Sequence, residues 1–201
     1  MRSEAMKKIC SILEKKDVPL REYRALEFYA RTGDWQTTAY APSVKSITAW
    51  EIDPKFKAAL RRNLPQAKIE IGNSYELANQ AEYNEAFEFI VFDNPQGVFG
   101  DKNYCEHFEA LPLVTKLLGK TGIVIFNVNR EPFDYDKSPE WKKNRDAFYK
   151  TESTSILTSE WLLNFYDTYF KEMGLIVRLQ WHEPRHDAYL GYLVYYLERN
   201  S

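Results

Sequence analysis

The last two apolar segments of the chain, Leu175–Trp181 and Tyr189–Glu198, are separated by only seven residues, HEPRHDA. Two parallel strands need a connection of a dozen or more residues, whereas antiparallel strands can be joined by a short turn. No crossover helix fits into this gap. We therefore predict that residues 175–198 form an antiparallel hairpin on the edge of an otherwise parallel sheet.

The rest of the chain alternates short apolar runs with helix-like segments, the pattern typical of βαβ units and a mainly parallel sheet. Five further strands are predicted: Arg24–Phe28, Ser46–Glu51, Lys68–Ile71, Glu88–Asp93 and Gly122–Asn127. Helices are predicted over residues 3–16, Asp34–Ala41, Pro54–Asn63, Tyr75–Glu82, Cys105–Leu118 and Glu160–Met173. With the terminal hairpin, these elements predict an α/β fold with a seven-stranded, mainly parallel sheet.

The chain has 201 residues, of which 44% are hydrophobic and 28% charged, the composition of a globular domain. A chain of this length buries roughly 70% of its accessible surface on folding, which is enough for a core without disulfides. We predict a single domain over residues 1–201, in which residues 1–22 form an N-terminal helix and linker. Residues 130–159, rich in charge, Pro, Ser and Thr, are predicted to be an insertion on that domain.

The two cysteines, Cys10 and Cys105, cannot form a disulfide scaffold, and we expect both to be reduced thiols in the cytoplasm. The N-terminal segment has no apolar run long enough for a secretion signal, and no later window approaches the length of a bilayer span. We therefore expect a soluble cytoplasmic protein without a membrane partner. The sequence carries no signal of its oligomeric state.

The formal net charge is -2, so the field of the whole protein does not attract polyanions, and any binding of nucleic acid would depend on local patches. The segment Pro139–Lys150 mixes cations and aromatic residues at helical spacing. This composition suits a nucleic-acid face. It equally suits an amphipathic helix that buries Trp141, Phe148 and Tyr149, and we favour this second interpretation.

Polar residues stand at the ends of four predicted strands, and ligands of open α/β sheets bind at the carboxyl ends of the strands. The first strand carries Glu27 and leads into a turn that ends at Gly33. The second ends at Glu51, where a carboxylate can accept hydrogen bonds from both hydroxyls of a ribose. The third leads into Asn73 and Ser74, and the fourth ends Asp93-Asn94-Pro95-Gln96-Gly97.

In this order the strand ends resemble the class I S-adenosylmethionine-dependent methyltransferases, over roughly residues 24–198. The first motif of that family is acid-x-Gly-x-Gly-x-Gly or, in one nucleic-acid branch, acid-x-Phe-Ala-Gly-Thr-Gly. Here the acid is Glu27, the last glycine is Gly33, and Ala30 matches the branch form, as does Thr32. Tyr29 and Arg31 stand where the family has its earlier glycines.

The resemblance implies a three-layer, Rossmann-like fold and S-adenosylmethionine as cofactor. Eight residues then match the family's cofactor-binding positions: Glu27, Tyr29, Ala30, Gly33, Glu51, Ile52, Asn73 and Ser74. Asn94-Pro95 matches the start of the family's Asn/Asp-Pro-Pro-aromatic motif, whose second half is replaced by Gln96 and Gly97.

The resemblance also implies a reaction, the transfer of a methyl group to a nitrogen, most readily an exocyclic amine of a nucleobase in RNA or DNA. Asn94, Pro95 and Asp93 are the catalytic candidates. Phe99 or Tyr104 could stack on the acceptor base. The altered first motif leaves a second hypothesis open, in which the chain is a non-catalytic binding or scaffold subunit with the methyltransferase fold.

Two other motifs are considered and set aside. The dinucleotide fingerprint G-x-G-x-x-G would place its glycines at Tyr29, Arg31 and Asp34, so no glycine matches. His182-Glu183-Pro184-Arg185-His186 fits H-E-x-x-H, but Pro184 prevents the helix that a zinc site of this type requires. We predict no metal site, and we expect His107 to be a capping or packing residue.

Overall fold

A seven-stranded sheet forms the centre of the computed structural model, which describes residues 3–93, 97–132, 135–185 and 189–200. Its strands are β1 (Arg24–Phe28), β2 (Ser46–Glu51), β3 (Lys68–Ile71), β4 (Phe87–Phe92), β7 (Leu118–Asn129), β8 (Leu175–Pro184) and β9 (Leu190–Arg199). Their order across the sheet is β3-β2-β1-β4-β7-β9-β8. The short strands β5 (Val98–Phe99) and β6 (Tyr104–Cys105) pair separately.

The predicted hairpin at the end of the chain is confirmed. The strands β1 to β4 and β7 pair in parallel, whereas β9 is antiparallel to both of its neighbours, β7 and β8. Because β8 is antiparallel to β9, it runs in the same direction as the parallel strands. The last strand of the chain therefore lies inside the sheet, and the strand before it forms the edge.

Helices cover both faces of the sheet, which gives three layers. The α-helices are α1 (Glu4–Lys15), α2 (Thr37–Tyr40), α3 (Lys57–Asn63), α4 (Ser74–Leu77), α5 (Val114–Leu117), α6 (Pro139–Tyr149) and α7 (Ser159–Glu172). α1 and α2 bury their apolar side chains on one face, where α3 also packs. α4, α5, α6 and α7 pack on the other face. The central strands are apolar on both faces because both are covered.

The predicted strands agree closely with the structure, since β1, β2 and β3 have the predicted bounds and β4 begins and ends one residue earlier. The largest difference is at β7, which begins at Leu118 rather than Gly122. The helix predicted at Asp34–Ala41 is confined to α2 and a following 3-10 turn at Ala41–Ser43. The helix predicted at Tyr75–Glu82 is interrupted by the extended backbone of Gln80.

The helix predicted over Cys105–Leu118 forms only in its second half, as a 3-10 turn at Leu111–Leu113 followed by α5. Glu106 adopts a left-handed backbone (φ 50°) and donates its N–H to the carbonyl of Gly97 (2.9 Å). Its carboxylate accepts hydrogen bonds from Trp141 Nε1 (2.8 Å) and Arg145 Nη1 (2.6 Å), both on α6. These partners lie more than thirty residues away in the chain. Long-range pairing of a buried charge therefore overrides the local helical pattern.

The segment Pro139–Lys150 forms the amphipathic helix that we favoured, because α6 packs on the core. Trp141 and Tyr149 are buried, and the ring of Phe148 stacks on Phe108 with 3.9 Å between ring centroids. The boundaries of the proposed insertion and the single-domain assignment stay predictions.

Gly122 provides a test of the packing between β7 and β4. A Cβ atom at this position would lie 2.5 Å from the carbonyl oxygen of Glu88. We expect Gly122→Ala to lower the free energy of unfolding by about 1–3 kcal/mol, as overpacked substitutions do. Urea denaturation measures this difference.

The matched control is Gly72→Ala, whose Cβ would meet Leu77 at an ordinary 3.6 Å. We expect this variant to stay within about 0.5 kcal/mol of the wild type. Equal destabilisation of the two variants would contradict the close approach at Gly122.

Candidate functional site

Three carboxylates lie on one face of the sheet at the carboxyl ends of neighbouring strands. In the parallel register, Glu27 aligns with Ala49 on β2 and with Val91 on β4. Side chains alternate between the faces of a sheet, so Glu51 and Asp93, each two residues further on, share the face of Glu27. All three residues are buried. The strand register thus brings the predicted acids together.

The turn after β1 has left-handed backbone at every second residue. The φ angle is 57° at Tyr29, 47° at Arg31 and 65° at Gly33. Only the last of these is a glycine, the residue that adopts this conformation without steric cost. The Arg31 side chain is exposed, and its guanidinium lies 5.7 Å from the centre of the Phe56 ring. Tyr29 and Arg31 thus adopt the backbone conformation that glycine favours.

Glu51 connects this turn to the tip of β2. Its carboxylate accepts hydrogen bonds from the backbone N–H of Arg31 (2.6 Å) and of Asp53 (2.9 Å). Ile52, between the two acids, is 64% exposed, which is unusual for a large apolar side chain. A fixed carboxylate therefore stands beside an apolar side chain that is open to solvent.

The tip of β3 is hydrogen-bonded to the tip of β2. Gly72 donates its N–H to the carbonyl of Glu51 (2.9 Å), and Asn73 caps α4 by accepting the N–H of Tyr75 (3.0 Å). Ser74 begins α4 and is buried. Asn73 and Ser74 therefore lie next to Glu51, as the order of the strand ends predicts.

Glu27 occupies the most enclosed position of the three acids. The hydroxyl of Tyr40 on α2 donates a hydrogen bond to its carboxylate, and Thr37 contributes a second. Burial raises the pKa of Glu27 to about 8, against the effect of the two hydroxyl groups. The charge of Asp93 acts in the same direction as burial. Glu27 is therefore mainly protonated at neutral pH.

Asp93 is held by the C-terminal hairpin. Its Oδ1 accepts hydrogen bonds from the Tyr192 hydroxyl and from Arg185 Nη1 (3.3 Å), while its backbone carbonyl accepts one from Asn127 Nδ2 (2.8 Å). Burial raises the pKa of Asp93 to about 6, and Arg185 and Tyr192 limit the rise. The sequence did not predict that Arg185, Tyr192 and Tyr40 would bond to these acids, because they come from distant segments of the chain.

The catalytic candidates Asn94 and Pro95, together with Gln96, lie outside the described residues. Asp93 marks the point at which the chain enters this segment, and Gly97 marks the point at which it leaves. A side chain on Gly97 would meet the ring of Trp141 at 3.7 Å. The position where the family has a stacking aromatic therefore faces the indole of α6.

An aromatic cluster lies beside the turn after β1. The hydroxyls of Tyr29 and Tyr75 are 2.9 Å apart, and Tyr75 stacks on Tyr104 with 4.3 Å between centroids. Phe99 contacts both Tyr29 (5.9 Å) and Tyr104 (5.4 Å). The cluster connects the tips of β1 and β3 to the β5–β6 hairpin.

A crevice of about 50 Å³ opens between the turn after β1 and the tip of β4. Its lining includes Glu27, Gly33, Trp35 and Asp93. Sites for small-molecule ligands are usually about 300–1,000 Å³. The crevice thus brings two of the three acids to one opening, but it is narrow.

Two larger cavities that are lined by described residues lie away from the strand tips. One of about 450 Å³ lies at the amino ends of β2 and β3, between Pro42 and Pro65, and no carboxylate, histidine or cysteine lines it. The other, of about 330 Å³, lies between α6 and α7. Volume alone does not identify the reactive site, because the convergent buried acids are elsewhere.

The two described histidines have structural partners. His107 is 1% exposed, its Nε2 contacts the Tyr166 hydroxyl, and burial lowers its pKa to about 3, so the packing role is confirmed. His182 lies in β8, and its Nδ1 is 3.1 Å from Ser159 Oγ. His186 lies outside the described residues. In the described part of the chain, no three His, Cys, Asp or Glu side chains are grouped to hold a metal ion.

The cysteines are free and buried, as expected for reduced thiols. Across the described ranges, no helix has the length and apolar character needed to cross a membrane.

Comparison with known proteins identifies the fold. No protein-family model matches the chain, and no curated protein matches its sequence. Among solved structures, Trm1 from Pyrococcus horikoshii, in complex with S-adenosyl-L-methionine, superposes on 97% of the chain with a TM-score of 0.66 and 10% identity. The chain adopts the class I methyltransferase fold. It covers 54% of Trm1, so it spans about half of that protein.

Other neighbours support the same fold. TYW2 of M. jannaschii, in complex with AdoMet, matches 100% of the chain (TM-score 0.58, 11% identity), which spans 78% of TYW2. A Pyrococcus horikoshii protein provisionally described as an RNA methyltransferase matches 97% of the chain (TM-score 0.56, 14% identity), which spans 81% of that protein. At these identities the likeness establishes the fold alone.

The raised pKa of Glu27 predicts a pH-dependent stability. A carboxyl group that binds its proton more tightly in the folded state stabilises the protein below its unfolded pKa, and this contribution is lost as the pH rises through the folded pKa of about 8. We expect Glu27→Gln to gain stability relative to the wild type between pH 5 and pH 8. The gain should approach about 1.4 kcal/mol per unit of pKa difference.

Chemical denaturation at several pH values measures this gain. The control is Glu22→Gln, which removes an exposed carboxylate at the amino end of β1, away from the strand tips. Parallel stability curves for wild type and Glu27→Gln would show that Glu27 is ionised in the folded protein.

Proposed function

We propose that this chain binds S-adenosylmethionine at the carboxyl ends of β1, β2 and β3 and transfers a methyl group to a nitrogen, the exocyclic amine of a nucleobase. The observation that carries the proposal is the hydrogen bond between the turn after β1 and the tip of β2. There the N–H of Arg31 bonds to the Glu51 carboxylate, within a backbone that is left-handed at three alternate residues. This hydrogen bond places the Glu51 carboxylate at the carboxyl ends of the strands, where ligands of open α/β sheets bind.

The residues at the nucleoside end fit the cofactor. The Glu51 carboxylate has two oxygens and about four acceptor positions, of which two are used by backbone N–H groups. The remaining positions suit the ribose hydroxyls. Ile52 offers an exposed apolar surface to the adenine, and Asn73 and Ser74 are next to it along the strand tips.

The amino-acid end of the cofactor would lie along the turn from Tyr29 and Ala30 to Gly33, near Glu27. A carboxyl group there suits a cationic ammonium, because ionised Glu27 would be paired rather than buried alone. Arg31 does not obstruct this turn, since its side chain is exposed and packs toward Phe56.

The bound cofactor would supply a methyl group activated by a sulfonium, so the protein's main tasks are alignment and electrostatics. An exocyclic amine is a poor nucleophile because its lone pair is delocalised into the ring. We propose that the Asn94 side chain and the Pro95 carbonyl accept its N–H hydrogens and so align its lone pair. Asp93, fixed by Arg185 and Tyr192, orients this segment or accepts a proton.

A second candidate function is a non-catalytic subunit with the methyltransferase fold. The crevice of about 50 Å³ favours it, because that volume is far below the usual size of a ligand site. The Tyr29–Tyr75 contact beside the crevice favours it too. Titration of the purified protein with S-adenosylmethionine in a calorimeter separates the two functions, since the subunit would show no heat of binding.

The ribose role of Glu51 predicts a loss of affinity. Each hydrogen bond to a charged group contributes about 1.5–3 kcal/mol. We expect Glu51→Ala to weaken binding of S-adenosylmethionine at least about tenfold in calorimetry, with Glu22→Gln as a control remote from the strand tips. Unchanged affinity in Glu51→Ala would contradict the ribose assignment, and a melting curve for each variant checks that it is folded.

The catalytic role of Asn94 predicts the outcome of a labelling experiment. Labelled S-adenosylmethionine is incubated with the protein and, separately, with total RNA, DNA, protein extract and metabolites. We expect label in RNA or DNA, and a loss of at least about a hundredfold in Asn94→Ala, the size of effect typical of a lost positioning group. Label confined to protein or metabolites would overturn the nucleobase acceptor, and full activity in Asn94→Ala would overturn the mechanism.

A further inference from the structure

Exposed apolar side chains concentrate at the edge of the sheet that carries the site. Among the described residues, the large apolar side chains with high exposure are Trp35, Ile52, Ile156 and Tyr189. Two follow the ends of β1 and β2, and Tyr189 directly precedes β9, which starts at the same edge. Ile156 precedes Leu157, whose N–H bonds to the carbonyl of Arg130 just beyond β7. All four side chains therefore lie toward the edge of the sheet where the candidate site is, and of the four only Trp35 lines the crevice.

Trp35 is connected through Arg185 to Asp93, the acid at the tip of β4. The Arg185 guanidinium lies 5.5 Å from the Trp35 ring and 5.3 Å from the Tyr192 ring, and it bonds to Asp93 at 3.3 Å. The Arg185 side chain is only 7% exposed. A buried cation requires paired charge or ring faces around it, and here it has both. Arg185 therefore fixes the Trp35 ring beside Asp93 at the mouth of the crevice.

The other aromatic rings near the β4 tip are engaged elsewhere. Trp141, which faces Gly97, is buried and bonds through Nε1 to Glu106. Phe99 and Tyr104, the candidates from the sequence, stack on one another, and Tyr104 also stacks on Tyr75. Trp35 is 38% exposed and lines the crevice together with Asp93.

We propose that Trp35, backed by Arg185, is the surface on which the acceptor base stacks beside Asp93, in place of the ring that the family motif would have at Gly97. This inference rests on the proposed function, because it names the residue that selects a planar acceptor. An indole ring stacks on any base through its π face. A base inside a duplex cannot reach such a ring, so the ligand is an unpaired or flipped nucleobase.

Charge determines how the ligand is held. The net charge of -2 and the acids around the crevice do not favour extensive phosphate contacts. Affinity should therefore come mainly from stacking, and its dependence on salt should be weaker than that of proteins that neutralise many phosphates.

The test uses single-stranded eight-nucleotide DNA and RNA homopolymers of each base, labelled for fluorescence anisotropy, with S-adenosylmethionine present. We expect the wild type to bind at least one of them, and Trp35→Ala to weaken that binding about five- to one-hundredfold. Trp35→Phe should restore most of the affinity. Tyr189→Ala is the matched control, an exposed aromatic at the same edge, and should change affinity less than about threefold.

A second readout covers the case in which Trp35→Ala does not fold. Oligonucleotide binding should quench the tryptophan fluorescence of the wild type and should quench that of Trp35→Phe much less. Unchanged affinity in Trp35→Ala, equal losses in Trp35→Ala and Tyr189→Ala, or no binding by the wild type would each overturn the assignment. Calorimetry with S-adenosylmethionine on the same preparation reports on the proposed function separately, so the two failures are distinguishable.

Discussion

The burial of three carboxylates at one edge of the sheet is the constraint on which the rest of the site depends. Burying an ionisable group is costly unless it is hydrogen-bonded, paired or protonated. Glu51 is satisfied by the turn after β1, Glu27 by α2, and Asp93 by the C-terminal hairpin. Each acid thus connects a separate segment of the chain to the tips of the central strands. The hairpin can reach Asp93 because β9 lies inside the sheet next to β7, with Tyr192 opposite Asn127.

The turn after β1 shows that residues other than glycine can hold a left-handed backbone when the surrounding structure enforces it. Left-handed backbone at a non-glycine residue costs about 1–3 kcal/mol and persists only where the surroundings enforce it. Here Ala30 donates its N–H to the carbonyl of Trp50, Arg31 to the Glu51 carboxylate, and Gly33 to the carbonyl of Ala30. The position of Tyr29 is enforced further by its hydroxyl contact with Tyr75. Strain that is retained at such a cost points to a use for the turn.

The strands and the positions of Glu27, Glu51 and Asp93 could be predicted because they depend on local patterns. Apolar runs define parallel strands, and the period of two places their terminal side chains. The partners of the acids could not be predicted this way, since Tyr192 and Asp93 are 99 positions apart. The same limitation explains why residues 105–110 are not helical, since Glu106 is fixed by α6. The short gap at residues 182–188 implied a hairpin but carried no information on which of its strands would pair with β7.

The different environments of Glu27 and Asp93 give the two carboxyl groups different pKa values. Burial raises the pKa of both groups, but Arg185 faces Asp93, whereas only hydroxyl groups bond to Glu27. The pair therefore titrates in two steps, near pH 6 and near pH 8. Between these values the pair carries one negative charge, on Asp93, which faces Arg185. A cation entering on the side of Glu27 would ionise the second acid and release its proton, so binding of a positively charged ligand becomes stronger as the pH rises toward 8. The two carboxyl groups line the same crevice but differ in pKa because their hydrogen-bonding and charged partners differ. In enzyme active sites, such a difference lets one carboxyl group act as an acid and the other as a base.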